Sequence, residues 1–313
     1  MISITSFDKR RKWDNKRNKI LEKLGYYGLF NFSLDCIANL VLRVVFVLSW
    51  SKPSLKNATC KEEDLVVSLT SFPKRIKYVW LTIETLLRQR VLPSKIALYL
   101  SKCQFPNEHL DLPKSIIKLQ KRGLDIRFVD DDLRSHKKYL YAMRDFPNKC
   151  VITVDDDCLY PEDIIESLWK THVRYPNSIV GNWAKQIYPC IPKYEHWPAI
   201  KGEHVHYDYL FVGCAGILYP PESLHYDAFN IGLIKKLAFT ADDIWLSCMA
   251  RLRKTSRGSA TNDYHHLRVI IPGNNSLHTT NAVCGNQMAV DNLNNYYYTK
   301  IGRRPFVDMV GHD

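Results

Sequence analysis

The sequence predicts an α/β protein: a largely parallel sheet with helices on both faces, preceded by an N-terminal helical extension. Two observations carry this. Short apolar runs, several of them rich in β-branched residues, alternate with helical patterns, the signature of parallel strands joined by crossover helices. The 313 residues are 46% hydrophobic and 24% charged, an ordinary globular composition that excludes disordered, collagen-like and low-complexity classes and is long enough to bury a proper core.

The net charge of +12 points to a polyanionic partner: nucleic acid, an anionic membrane, or a nucleotide or phosphate substrate. Its distribution narrows the choice. Residues 1–61 hold 12 Lys/Arg against 4 Asp/Glu, and the rest hold 32 against 28. A nucleic-acid enzyme needs its positive field around a groove in the folded body, and this body is nearly neutral. The basic tract Lys9, Arg10, Arg11, Lys12, Lys16, Arg17, Lys19 and Lys23 reads as an appendage. From Leu24 to Trp50 only Asp35 and Arg43 are charged, and Asn31, Asp35, Asn39 and Arg43 recur every four residues, on one helix face. No uncharged run reaches the length of about 20 residues that spans a bilayer. The preferred reading is an amphipathic helix in the membrane interface, with Tyr26, Tyr27 and Trp50 at headgroup level and the basic tract on anionic lipid; the alternative is a helix packed on the body. The apolar part starts late and has no small-residue cleavage site, unlike a signal peptide. Pro53 to Lys61 breaks the pattern as a linker, so the chain divides into an extension, 1–61, and a globular unit, 62–313. Nine cysteines without a CxxC pair indicate reduced thiols in a cytoplasmic compartment, not a zinc site or disulfide framework.

Within the globular unit, Leu65 to Thr70 is a buried strand that ends in Ser71-Phe72-Pro73. A helical pattern follows through Val79, Ile83, Leu86 and Leu87. Lys95–Leu100, Ile126–Val129 and Cys150–Val154 are further strands, and Pro161 opens a helix with Glu162 and Asp163 in its first turn. Ligands of such sheets bind beyond the C-terminal strand ends, so the segments after Thr70, Leu100, Val129 and Val154 hold the candidate site.

After Val154 comes Asp155-Asp156-Asp157. In extended chain Asp155 and Asp157 share a side and Asp156 faces away. Two hard oxygen donors suit Mg²⁺ or Mn²⁺ on a diphosphate. A competing triplet, Asp130-Asp131-Asp132, follows a less apolar strand and runs into Arg134, His136, Lys137 and Lys138, which would neutralise it. Tyr209 to Val212 is another apolar strand. Gly213-Cys214-Ala215-Gly216 after it offers close backbone approach. Asp242 and Asp243 open a helix, where one would cap and the other serve as a base. His204 and His206 could face one side, whereas His265 and His266 cannot share one in a strand.

In order along the chain, VVSLTSFPKRI, LTIETLLRQ, KIALYLS, RFVDDDLRSHKKYLYAM, VITVDDDCLYP, LFVGCAGILYPPESL and TADDIWLSCMA resemble bacterial glycosyltransferases of the GT-A fold found among surface-polysaccharide (capsule, O-antigen, lipopolysaccharide) enzymes, over roughly residues 62–300. The resemblance implies a GT-A (Rossmann-like) sheet and a metal-dependent, hexosyltransferase-type enzyme. It would move a sugar from a nucleotide sugar, a UDP-sugar by the resemblance, to a glycan or lipid-linked glycan, with Mn²⁺ or Mg²⁺ as cofactor and no nucleic-acid partner. It implies roles for nucleotide-sugar contacts Thr70, Ser71, Phe72, Arg75, Ser101, Lys137, Lys138, Asp155, Asp156, Gly213, Ala215 and Gly216. Asp157 leads the metal ligands, with Asp155 and His278. Asp243, beside Asp242, is the general base, which implies inversion at the anomeric carbon. The enzyme is expected on the inner face of the cell membrane. Gln287 stands where related chains tend to be acidic. Two other functions compete. A nucleotidyltransferase would show a glycine-rich loop after the first strand, and Thr70 to Arg75 has no glycine. A nucleic-acid binder would interleave aromatic and basic residues, and only Tyr296-Tyr297-Tyr298 with Lys300, Arg303 and Arg304 hints at it.

Overall fold

A computed structural model describes residues 27–49, 54–56, 58, 61–188, 190–191, 193–200, 202–260, 267–269, 271 and 285–308. The basic tract, Tyr26, Trp50, His265, His266 and His278 lie outside them. In chain order the elements are α1 (Tyr27–Leu48), β1 (Glu62–Thr70), α2 (Trp80–Leu86), β2 (Pro93–Ser101), α3 (Lys114–Gln120), β3 (Leu124–Val129), α4 (Lys137–Asp145), β4 (Cys150–Thr153), β5 (Cys158–Leu159), α5 (Ile164–Arg174), β6 (Ile179–Gly181), β7 (Ala184–Gln186), β8 (Val205–His206), β9 (Tyr209–Phe211), β10 (Ile217–Tyr219), α6 (Ile231–Leu237), α7 (Asp242–Arg253), β11 (Arg257–Ser259), β12 (Leu267–Arg268) and α8 (Asn286–Ile301).

Eight strands form one sheet in the order β3-β2-β1-β4-β10-β6-β11-β8. β3, β2, β1, β4, β6 and β11 run one way, and β10 and β8 run the other. Val67 of β1 pairs with Ile96 of β2 and Ile152 of β4, while Ile217 of β10 pairs antiparallel with Thr153. The α/β class read from the sequence therefore holds, with one reversed strand at the centre.

The alternation of strand side chains sorts two cores. Leu65, Val67, Leu69, Ile96, Leu98 and Leu100 pack with Ile83 of α2, Ile116 of α3 and Ile165 of α5 on one face. Ala97, Tyr99 and Val151 meet Ala142 of α4 on the other, where α7 and α8 add Trp245, Met249, Leu293 and Tyr297. With helices on both sides, β1 is buried from Leu65 to Leu69 and β4 through its length, which is why these stretches read as apolar runs.

Two boundaries differ from the sequence reading. β4 ends at Thr153, one residue early, and the chain turns at Asp156-Asp157. The helix expected from Pro161 starts at Ile164. α1 packs on the body through Ala38, Leu42 and Phe46, against Leu81 of α2, Leu159 of β5 and Val269. Among the described residues no helix is long and apolar enough to cross a membrane.

Candidate active site

The C-terminal ends of β1 and β4 open into a cleft of about 710 Å³. Topology explains its composition. β10 runs antiparallel to β4, so the segment that enters it, Gly213 to Gly216, reaches the same edge of the sheet that β4 leaves. α7 points its N-terminus there and delivers Asp242 and Asp243. Two carboxylate groups from distant parts of the chain thus face one space.

The strand-end triplet is not extended, so the expected alternation does not apply. Asp156, expected to face away, is instead the anchor of the turn. Its carboxylate accepts from Ser71 Oγ at 2.6 Å and from Arg75 Nη1 at 2.7 Å, and Thr82 Oγ1 donates to its carbonyl at 2.9 Å. Arg75 also lies 3.1 Å from Asp157 Oδ2. The guanidinium is carried by the turn after Phe72, whose ring it overlies at 5.4 Å. Burial, reinforced by Asp156 and Asp155 and opposed by Arg75, pushes the Asp157 carboxyl up to about 6. Such crowding of acids with one arginine among them is the setting a bound cation relieves.

Across the cleft, Asp243 Oδ2 accepts the Gly213 N–H at 2.9 Å. A Cβ at Gly213 would sit 2.5 Å from Asp243 Oδ1, so this position needs glycine to admit the acid. Neither carboxylate caps α7, whose N-cap is Ala241 without a side-chain cap, contrary to the expected division of roles. Lys138 separates the pair electrostatically. Its Nζ lies 2.7 Å from Asp155 Oδ1 and 3.1 Å from Asp242 Oδ2. Burial works against an ionised Asp242, but Lys138 and His136 outweigh it and hold its carboxyl low. Asp243 has no such neighbour at contact distance, and burial together with the charge of Asp242 pushes it up to about 8. One acid of the pair is kept charged and the other is poised to exchange a proton near neutral pH.

Thr70, Ser71, Phe72, Arg75, Lys137, Lys138, Asp155, Asp156, Asp157, Asp242 and Asp243 all line the cleft. Ser101 does not: it is fully buried at the end of β2, and Gln104 takes the place on the wall. Of the glycine segment, Val212 and Cys214 line the cleft while Gly213, Ala215 and Gly216 stand behind them; Gly216 is at φ +80° and the Ala215 carbonyl accepts from Asn182. Both lysines expected at phosphate are already paired, Lys137 with Asp132 at 2.6 Å and Lys138 as above. His204 and His206 lie away from the cleft, His206 on the edge strand β8.

The sequence reading missed Arg268, Lys185, Trp183, Tyr194 and Glu195 on the wall. Arg268 and Lys185 are in no ion pair among the described residues, and Lys185 lies 4.3 Å over the Tyr194 ring. Gln287 accepts the Tyr194 N–H at 2.8 Å, so the residue noted for not being acidic positions this wall. Among the described residues no three His, Cys, Asp or Glu side chains gather as metal ligands. Asp155 and Asp157 offer a partial oxygen set, the kind that Mg²⁺ or Mn²⁺ completes with substrate phosphate and water.

No protein-family profile matches the chain, and no curated protein does. Among solved structures, residues 1–349 of S. aureus TarS align at 10% identity and TM-score 0.41, over 65% of this chain and 59% of that one. A mannosyltransferase from Pyrobaculum calidifontis, PcManGT, in complex with GDP-Man and Mn²⁺, aligns at 11% identity and TM-score 0.46, over 87% and 77%. An apo UDP-glucose pyrophosphorylase aligns at 10% identity and TM-score 0.40, over 76% and 98%. Likenesses this distant bear on neither activity nor substrate.

Proposed function

We propose that residues 62–313 form a GT-A glycosyltransferase that moves a hexosyl group from a nucleoside diphosphate sugar, UDP-linked, to a glycan or lipid-linked glycan held at the inner face of the cell membrane. One observation carries the reading. A buried lysine, Lys138, bridges a strand-end carboxylate triplet to an acid pair on a helix N-terminus, across a cleft large enough for a nucleotide sugar.

In this reading the acceptor hydroxyl oxygen attacks the anomeric carbon as the bond from that carbon to the diphosphate oxygen breaks. Asp243 takes the hydroxyl proton, and the sugar inverts. A base that titrates near the working pH suits this task, and the Gly213 N–H fixes Oδ2 of the carboxylate in place. Asp157 and Asp155 would hold Mn²⁺ or Mg²⁺, which neutralises the departing diphosphate when bound. Thr70, Ser71 and Phe72 would contact the nucleoside, and Arg75 and Asp156 set the turn that presents Asp157. Lys185 and Arg268, with Lys74 and Arg134 on the same wall, and not Lys137 and Lys138, are cations left for phosphate.

A thermal-shift panel of nucleoside diphosphate sugars with Mn²⁺ tests this. A specific donor at roughly a hundredfold over its Kd adds about 2.7 kcal/mol of stability, a clear rise in Tm. A panel that leaves Tm unchanged, while a nucleoside triphosphate with a sugar phosphate raises it, would favour a nucleotidyltransferase.

A further inference from the structure

α1 is amphipathic with its sides reversed. Of the polar residues that the sequence puts on one face, Asn39 turns inward and Arg43 lies over the body. Asn39 is buried, and its Nδ2 donates to the Asp35 carbonyl and to the Arg268 carbonyl, each at 2.9 Å. Ala38, Leu42 and Phe46 lie beside it in the small core under α2 and β5. Arg88 clamps the far end, stacking 4.4 Å over the Phe46 ring and donating to Ser49 Oγ at 2.9 Å. The outward face holds Ile37, Leu40, Val44, Val47 and Leu48, exposed by 55%, 66%, 51%, 61% and 81%. Their spacing of three, four, three and one makes a single strip along the helix. No other helix among the described residues turns five large aliphatic side chains to solvent.

A continuous apolar strip of this kind marks a binding surface, not scattered surface apolarity. The chemistry around it selects the occupant. From Cys36 to Ser49 there is no carboxylate, and the one charge, Arg43, sits over Tyr78 on the body. The chain leading into the helix holds eight Lys/Arg in residues 1–26 against Asp8, Asp14 and Glu22. A second copy of the chain would bring two such basic tracts together and repel, whereas an anionic lipid surface attracts the tract and takes the strip into its acyl boundary. The helix is not apolar enough to cross, so it lies in the plane.

We propose that Ile37, Leu40, Val44, Val47 and Leu48 form a docking surface for an anionic bilayer. The dock rests on the peripheral location proposed above and not on the chemistry of the cleft. Asn39 bonds the backbone of Arg268, whose side chain lines the cleft, so the docked helix is joined directly to the cleft wall.

The full chain is sedimented with vesicles of phosphatidylglycerol and phosphatidylcholine, and with phosphatidylcholine alone. The wild type is expected to prefer the anionic vesicles. Leu40→Glu with Val44→Glu should weaken that binding roughly tenfold or more, since two charges enter the acyl boundary, while Tm stays within a few degrees. Wild-type vesicle binding by the double variant overturns the dock. So does a wild type that ignores vesicles and sediments as a dimer that the same variant dissociates. A chain that binds vesicles but transfers no sugar overturns the glycosyltransferase reading alone; one that transfers sugar to a soluble acceptor but ignores vesicles overturns the dock alone.

Discussion

Asp130–Asp132 and Asp155–Asp157 both leave strand ends of the same sheet, β3 and β4, and both have lysine partners. The first lies at the sheet edge. Asp130 is nearly free of the protein and meets Lys102, and Asp131 meets Lys235 in solvent. The second lies at the sheet centre, where β1 and β10 flank β4, and Arg75 and Lys138 are buried with it. Identical tripeptides thus acquire different chemistry from strand position. At the edge, water screens the repulsion among the carboxylates, and at the centre only placed cations do. Asp132 is intermediate: it touches the cleft and is neutralised by Lys137.

The contrast can be broken at several points. Asp157→Ala should reduce kcat by roughly a thousandfold or more, as the loss of several kcal/mol of metal-borne charge stabilisation requires, with the circular dichroism spectrum unchanged. Full wild-type turnover in excess EDTA would remove the metal from the reading. Asp243→Asn should lower kcat by roughly a hundredfold or more and leave nucleotide-sugar binding intact, measured by calorimetry; retained turnover excludes Asp243 as the base. Lys138→Met leaves Asp155 and Asp242 buried without their shared cation and should destabilise the fold by roughly 3 kcal/mol, read from chemical denaturation. Asp130→Ala in the outer triplet should change stability by no more than about 0.5 kcal/mol and leave turnover as it was.

Asp243 also sets a pH dependence of stability. Its carboxyl titrates at 3.8 in the unfolded chain and at about 8 in the fold. Between these values the folded chain keeps a proton that the unfolded chain has lost. Rising pH therefore favours unfolding across that window, and the loss is complete above the folded value. Asp243→Asn abolishes this contribution. The Tm of the variant should fall less than that of the wild type between pH 5 and pH 8, and parallel curves would show that the carboxyl is not buried as described.

Much of the left half of the sheet was legible. β1, β2 and β4 announce themselves as long apolar runs because both their faces are covered. The inner triplet, the glycine segment and the acids of α7 were legible as strand-end and helix-start residues. What stayed hidden depends on partners far along the chain. β6, β10 and β11 are three residues long, too short for a period to register. The reversed direction of β10 is a property of pairing, not composition. The partners of Lys137 and Lys138 could not be read from a lysine pair on a helix. Nor could the anchoring of Asp156 by Ser71 and Arg75, some eighty residues earlier. For α1 the period was clear and the direction was not: a polar stripe ordinarily faces water, and here one buried asparagine finds a backbone carbonyl instead.

Since Ile217 is the antiparallel neighbour of Thr153, the strand that presents the triplet keeps a bare edge throughout synthesis until Tyr219 has left the ribosome. Every backbone group on that side of Cys150–Thr153 is meanwhile open to a wrong strand. Nascent chains of this protein should be hard to release early: fragments ending before β10 should aggregate, and those ending beyond it should gain solubility together with the closed centre of the sheet.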